Sequence, residues 1–370
     1  MKLFKLIFIL VPIMILCACD TGKISVNKQS GTEIPLMYAE QFSLYENSDG
    51  TYNINIADGQ QFVFVPDGTQ KPENTDIPVI FQTNNIYVSA SSAVDLFDGI
   101  DALGNVKMTS TKLNDWRLPA VEKALENGEI MYVGKYNAPD YEAIISGDCG
   151  LAIESTMIYH SPETKEQLEN LGIPVIVERS SYETHPLGRL EWIKFYGLIT
   201  GNYQRAVDFF DEKLKIFEQV VTGEVPEQKP VIAFFYITSN GTVNVRKSGD
   251  YISKMIELAG GTYVFTGEDL GTDKNALSTF NMDMETFYKK AHDADIIIYN
   301  STIDGELETL GQLTEKNGLL NDFRAVKNGN VWCTSKNTFQ QTTGVCDMIQ
   351  DFHRIITGNT ENLAFLRKLE

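Results

Sequence analysis

Two acidic triplets with matching surroundings are the first candidates for chemistry. Asp140-Tyr141-Glu142 opens an expected helix, and the apolar run Leu151-Ala152-Ile153 begins nine residues after Glu142. Asp283-Met284-Glu285 opens another, and nine residues after Glu285 comes Ala294-Asp-Ile-Ile-Ile298. Acidic residues in a first helical turn complement the helix dipole. The repetition at two places also suits a functional pair, and local physics leaves both readings open. Other chemistry is scarce. There is no G-x-S-x-G elbow and no P-loop, and Asp98 to Gly104 is a helix end rather than a dinucleotide loop. Asp49-Gly50 and Asp58-Gly59 are turns without the ligand ladder of a calcium loop. His160, His185, His292 and His353 are too scattered to form a metal cluster. Cys149, Cys333 and Cys346 form no C-x-x-C pair; Cys333 and Cys346 could pair in an oxidising compartment, but three thiols leave one over, and three semi-buried free cysteines are the expectation. No catalytic residue is expected, and the chain is not read as an enzyme.

The elements that would position such residues alternate along the chain. Residues 36–66 predict β-hairpins, with Phe42–Tyr45, Tyr52–Ile56 and Phe62–Val65 separated by Asn/Asp/Gly turns. From Ile77 short strands alternate with helices: strands 77–81, 86–89, 130–133, 151–153 and 173–177, helices 92–103, 119–127, 140–146 and 162–171. That alternation predicts a mainly parallel α/β sheet. Two helices follow, His185–Thr200 and Tyr203–Val221, interrupted only by Gly201-Asn202, and the second carries the apolar stripe Tyr203, Val207, Phe210, Leu214, Phe217, Val221. A second series runs through strands 231–237, 242–245, 295–299 and 330–333 and helices 250–259, 283–291, 319–327 and 345–357. The net charge of −19 is spread along the chain, which excludes a nucleic-acid partner and predicts a solvated surface.

The N-terminus carries Lys2 and Lys5 and then an apolar run, Leu6 to Leu16, that contains Pro12 and is too short to span a bilayer. Leu16-Cys17-Ala18-Cys19 follows and resembles the bacterial lipobox, which implies cleavage before Cys19 and lipid on its sulfur. The expected domains are a signal peptide (1–18), a lipidated tether (19–35), an N-terminal lobe with hairpin extension (36–184), an inter-lobe helical segment (185–222) and a C-terminal lobe (223–370). The expected location is the extracytoplasmic face of the cell membrane, held there by the lipid.

The stretch 171–201, LGIPVIVERSSYETHPLGRLEWIKFYGLITG, is the most distinctive. With the LGNVKMTS and GNVWCTS strands, the ELAGGTYVF turn and both D-x-E helix starts, it resembles the substrate-binding lipoproteins of ABC importers for iron-siderophores, haem and cobalamin. The resemblance implies two α/β lobes joined by a long rigid helix, with a ligand cleft between the lobes and the hairpins as an N-terminal addition. It implies that Glu142 and Glu285 dock onto a dimeric ABC permease. It implies as ligand a ferric siderophore or haem, with cobalamin or another corrinoid as the alternative; from another class, a surface-anchored hydrolase is the competing reading. Ligands of open α/β sheets bind beyond strand ends. The candidates there are Ser91, Ser92, Trp116, Tyr136, Ser155, Thr156, Arg179 and Tyr182 in the first lobe, and Tyr236, Arg246, Asn300, Trp332 and Phe339 in the second, where aromatic walls and Arg would suit a planar or anionic chelate. His185, Arg189 and Glu191 are expected to brace the long helix. No resident cofactor or metal site is implied, since metal would arrive inside the ligand. A monomer is expected.

Overall fold

The computed structural model describes residues 31–73, 75–270 and 279–370. Cys19, the signal peptide and most of the tether lie outside the described residues. The extension is a five-stranded sheet, β1 (Thr32–Ile34), β2 (Phe42–Glu46), β3 (Tyr52–Ile56), β4 (Gln61–Val65) and β5 (Val79–Phe81), in that order. Neighbours are antiparallel except β4 and β5, which are parallel. Alternate residues Phe42, Leu44, Ile54, Ile56, Phe62 and Phe64 are buried on one face, as a two-residue period demands. The expected strand at 77–81 therefore belongs to this extension and not to the lobe sheet.

The first lobe holds a wholly parallel sheet in the order β12-β11-β6-β7-β8, built from β6 (Ile86–Val88), β7 (Val106–Thr109), β8 (Met131–Tyr132), β11 (Leu151–Ser155) and β12 (Val175–Glu178). A small hairpin, β9 (Gly134–Lys135) and β10 (Ala138–Pro139), follows β8. The helices are α1 (Ser91–Gly99), α2 (Pro119–Glu126), α3 (Tyr141–Ser146) and α4 (Pro162–Asn170). The α1 helix ends at Gly99, short of the expected Leu103, and Leu103–Asn105 forms a separate 3-10 turn.

Two helices lead to the second lobe: α5 (Pro186–Thr200), buried along its whole length, and α6 (Tyr203–Val221). They part at Gly201, whose φ of 77° only glycine adopts freely. Along α6, Ala206, Phe210, Phe217 and Val220 are buried, whereas Val221 is exposed, so the stripe ends one residue early.

The second sheet is mixed, in the order β16-β14-β13-β17-β18-β19, with β15 also against β13. Its strands are β13 (Val231–Ile237), β14 (Val243–Arg246), β15 (Thr262–Tyr263), β16 (Thr279–Met282), β17 (Ile296–Tyr299), β18 (Val331–Thr334) and β19 (Leu366–Lys368). The core strands β13, β17 and β18 run parallel, and β14, β16 and β19 are antiparallel additions. Its helices are α7 (Tyr251–Leu258), α8 (Gly267–Leu270), α9 (Met284–Ala291), α10 (Leu310–Lys316), α11 (Arg324–Lys327) and α12 (Val345–Thr357). The expected helix 319–327 is a 3-10 turn at Gly318–Asp322 followed by α11, because extended Phe323 (φ −66°, ψ 138°) separates them. The α10 helix was not expected, although Thr309 and Gln312 form a capping box before it. The equal spacing after the two D-x-E triplets is not kept: β17 starts at Ile296, two residues after Ala294. There the Asp295 carboxylate accepts from Val231 N at 2.8 Å, tying the strand entrance to β13. Cys149, Cys333 and Cys346 are free thiols.

Candidate ligand-binding site

In the first lobe the chain order reverses between neighbours β6 and β11: β7 and β8 lie beyond one, β12 beyond the other. Loops leaving such a pair diverge and open a crevice at the carboxyl edge. Ser91 and Ser92 open α1 directly after β6, and Ser155 and Thr156 end β11, so this crevice gathers four expected residues, all half-buried. No side chain caps the start of α1. Beneath them, the Glu154 carboxylate and the Tyr87 hydroxyl are buried without hydrogen-bond partners, and burial pushes Glu154 up to about 7.

Arg179 follows β12. Its guanidinium lies 4.1 Å from the centre of the Tyr182 ring. Nε donates to Gln41 Oε1 at 3.1 Å, and Nη1 donates to the Tyr159 hydroxyl at 2.9 Å. Tyr159 in turn donates to Asp58 Oδ2 at 2.6 Å; burial, helped by Asp58, pushes its hydroxyl up to about 12. Arg179 and Tyr182 are thus brought together. Tyr159, Gln41 and Asp58 were missed by the sequence reading, because two of them come from the extension. Tyr136 stands apart, half-buried in the turn between β9 and β10 that leads to α3.

In the second lobe, Arg246 and Phe339 meet: the guanidinium is 4.6 Å from the ring centre and its Nη1 lies 3.7 Å from Asp250. Phe339 lines a small pocket of the second lobe with Tyr251, Gln341 and Thr342, and Arg189 of α5 closes one side. Arg189 stacks on Tyr251 at 4.0 Å and donates to the Ser180 carbonyl at 3.3 Å. It braces α5, as expected, and also reaches the second lobe. Tyr236 is half-buried on β13, in register with Asn244.

The loop after β18 crosses to the first lobe. Thr342 Oγ1 donates to the Ser92 carbonyl at 2.9 Å, and Thr343 N donates to Asp95 Oδ2 at 2.6 Å. Gln340 accepts from Arg117 N at 2.7 Å and donates to the Asp115 carbonyl at 2.9 Å. The structure corrects three candidates. Trp116 is fully buried with its indole N–H on the Thr111 carbonyl, and Trp332 is in the core with its N–H on Asn330. Neither presents a face to a cleft, since a large apolar ring gains most from full burial. Asn300 is also buried; its side-chain oxygen serves its own turn, accepting from Thr302 N and Oγ1.

Glu142 and Glu285 are exposed in the first turns of α3 and α9. In each triplet the aspartate is the cap: Asp140 accepts from Ala143 N at 3.0 Å and Asp283 from Thr286 N at 2.8 Å. Lys289 lies 3.3 Å from Glu285, a pair exposed to solvent.

Comparison with known proteins agrees with this architecture. The chain is 24% identical over 369 residues to an uncharacterized lipoprotein of Methanocaldococcus jannaschii, covering 95% of this chain and 90% of the relative. Its fold is shared with a periplasmic binding protein of Veillonella parvula (TM-score 0.62, 14% identity, 86% of this chain and 98% of that one). It is shared too with a periplasmic haem-binding protein of Vibrio cholerae (TM-score 0.58, 17% identity, 72% and 98%). These are binding proteins rather than enzymes, with two α/β lobes like those described above. Since the family model described as periplasmic binding protein matches residues 86–338, most of both lobes, the chain belongs to the periplasmic binding protein family.

Proposed function

We propose that the chain is a lipid-anchored extracytoplasmic binding protein that captures a ferric siderophore or haem and delivers it to an ABC permease. The observation that carries this reading is Arg179 at the end of β12: stacked on Tyr182, hydrogen-bonded to neutral oxygens, and with no acidic side chain within ion-pair distance among the described residues. A cation held this way beside aromatic rings suits an anionic, ring-bearing ligand. Phe339 on Arg246 repeats the pairing of ring and guanidinium in the other lobe. Among the described residues no group of three or more His, Cys, Asp or Glu is placed to hold a metal ion.

The anchor rests on the lipobox resemblance at Cys19 and on relatives named as lipoproteins. Among the described residues no helix is long and apolar enough to cross a membrane. Visible absorption and native mass spectrometry of protein purified from its own host test the ligand. Haem or a ferric chelate is the expected passenger; a corrinoid spectrum replaces it with the alternative. Calorimetry with Zn²⁺, Mn²⁺ and Fe²⁺ is expected to show no tight site, and a stoichiometric sub-micromolar site for any of them overturns the chelate reading.

A further inference from the structure

We propose that the N-terminal extension is a specificity element of the cleft: Gln41 and Asp58 hold Arg179 and Tyr159 as a preformed receptor for an anionic oxygen group of the ligand. The proposal rests on the reading of the cleft as a chelate-binding site. The family match begins at residue 86, so Gln41 and Asp58 lie outside it. Yet Gln41 takes Nε of Arg179, and Asp58 takes the hydroxyl proton of the tyrosine that accepts from Nη1.

The chemistry of these contacts is selective. Both atoms that touch the guanidinium are neutral oxygens, so they fix its plane without cancelling its charge. Nη2 has no hydrogen-bond partner among the described residues. A planar fork fixed in one orientation matches a carboxylate or catecholate and loses little freedom on binding. Asp58 accepts from Tyr159 and so directs a lone pair of that hydroxyl towards Arg179.

The turn that carries Asp58 is registered against the lobe. Gln60 accepts from Val177 N at 3.0 Å and donates to the Val177 carbonyl at 3.4 Å, as a neighbouring strand would. Val177 is on β12, the edge strand, two residues before Arg179. Gln60 therefore covers that edge and sets the distance from Asp58 to the receptor. An extension present only for stability has no need to place neutral acceptors on an unpaired arginine.

The test uses the full-length protein in detergent, titrated with an anionic ferric tris-catecholate and an uncharged ferric tris-hydroxamate and read by fluorescence quenching. Gln41→Glu keeps an acceptor on Nε but neutralises the guanidinium. It is expected to weaken the catecholate about tenfold while leaving the hydroxamate within about twofold, with no fall in thermal midpoint. Tyr159→Phe, which removes the oxygen that holds Nη1, is expected to move the catecholate in the same direction. The proposal is overturned if Gln41→Glu binds the catecholate like wild type, if both chelates weaken equally, or if wild type prefers the hydroxamate. Wild type that binds neither chelate overturns the reading of the cleft itself, and this proposal with it.

Discussion

Glu191 Oε2 lies 2.7 Å from the backbone nitrogen of Tyr38, 153 residues earlier in the chain. The same carboxylate accepts from Met37 N and Ala39 N and pairs with Lys194 at 2.7 Å. Glu183 continues the pattern on Glu40 N and Gln41 N. Two buried carboxylates on and beside α5 thus grip five consecutive amides of the extension. Gln41, the residue that touches Arg179, is the last of them.

Glu191→Ala is expected to destabilise the protein by about 3–5 kcal/mol, because it leaves Lys194 buried without its counter-charge and strands three amides. Glu191→Gln keeps an acceptor and should cost less. Urea unfolding measures both, and an Ala variant as stable as wild type refutes the grip.

Glu154 supplies a pH dependence with a definite sign. Burial raises its carboxyl from 4.5 to about 7, so the folded chain keeps this proton where the unfolded chain has lost it. Its contribution to stability is complete below about pH 4.5 and is lost as pH rises through about 7. Glu154→Gln is therefore expected to gain roughly 2 kcal/mol over wild type at pH 8 and little at pH 4.5. Equal effects at the two values would show that the carboxylate is solvated.

Glu142 and Glu285 do not cap their helices, since Asp140 and Asp283 do that, and Glu285 makes only an exposed pair with Lys289. Exposed charges of this kind mainly orient and speed docking. Glu142→Lys combined with Glu285→Lys is expected to abolish uptake in cells while leaving chelate affinity and thermal midpoint unchanged. Normal transport by the double variant would sink the docking role.

Cys19→Ala is expected to leave the chain unprocessed or to release it from membranes. Labelling with a fatty-acid analogue, followed by fractionation, checks this, and a variant that matures and stays membrane-bound like wild type removes the lipobox reading.

Much of the fold is legible in the sequence because its signals are local. The aspartate caps of α3 and α9, the Gly201 break between α5 and α6, and the strand–helix alternation of both lobes each act within a turn or two of chain. The gathering of Ser91, Ser92, Ser155 and Thr156 also follows from sequence, once the strands are parallel and share a carboxyl edge. What tertiary structure alone decides is which of two physically equivalent fates a residue meets. Trp116 and Trp332 could wall a cleft or fill a core by composition alone, and packing buries both. Strand 79–81 could continue the lobe or close the extension, and its pairing with β4 settles the matter. Arg179 is visible as a loop arginine after a strand. Gln41, which accepts from it, and Asp58, which accepts from its neighbour Tyr159, are not, because residues more than a hundred positions away leave no local period, cap or spacing; only the closed chain brings them within hydrogen-bond reach.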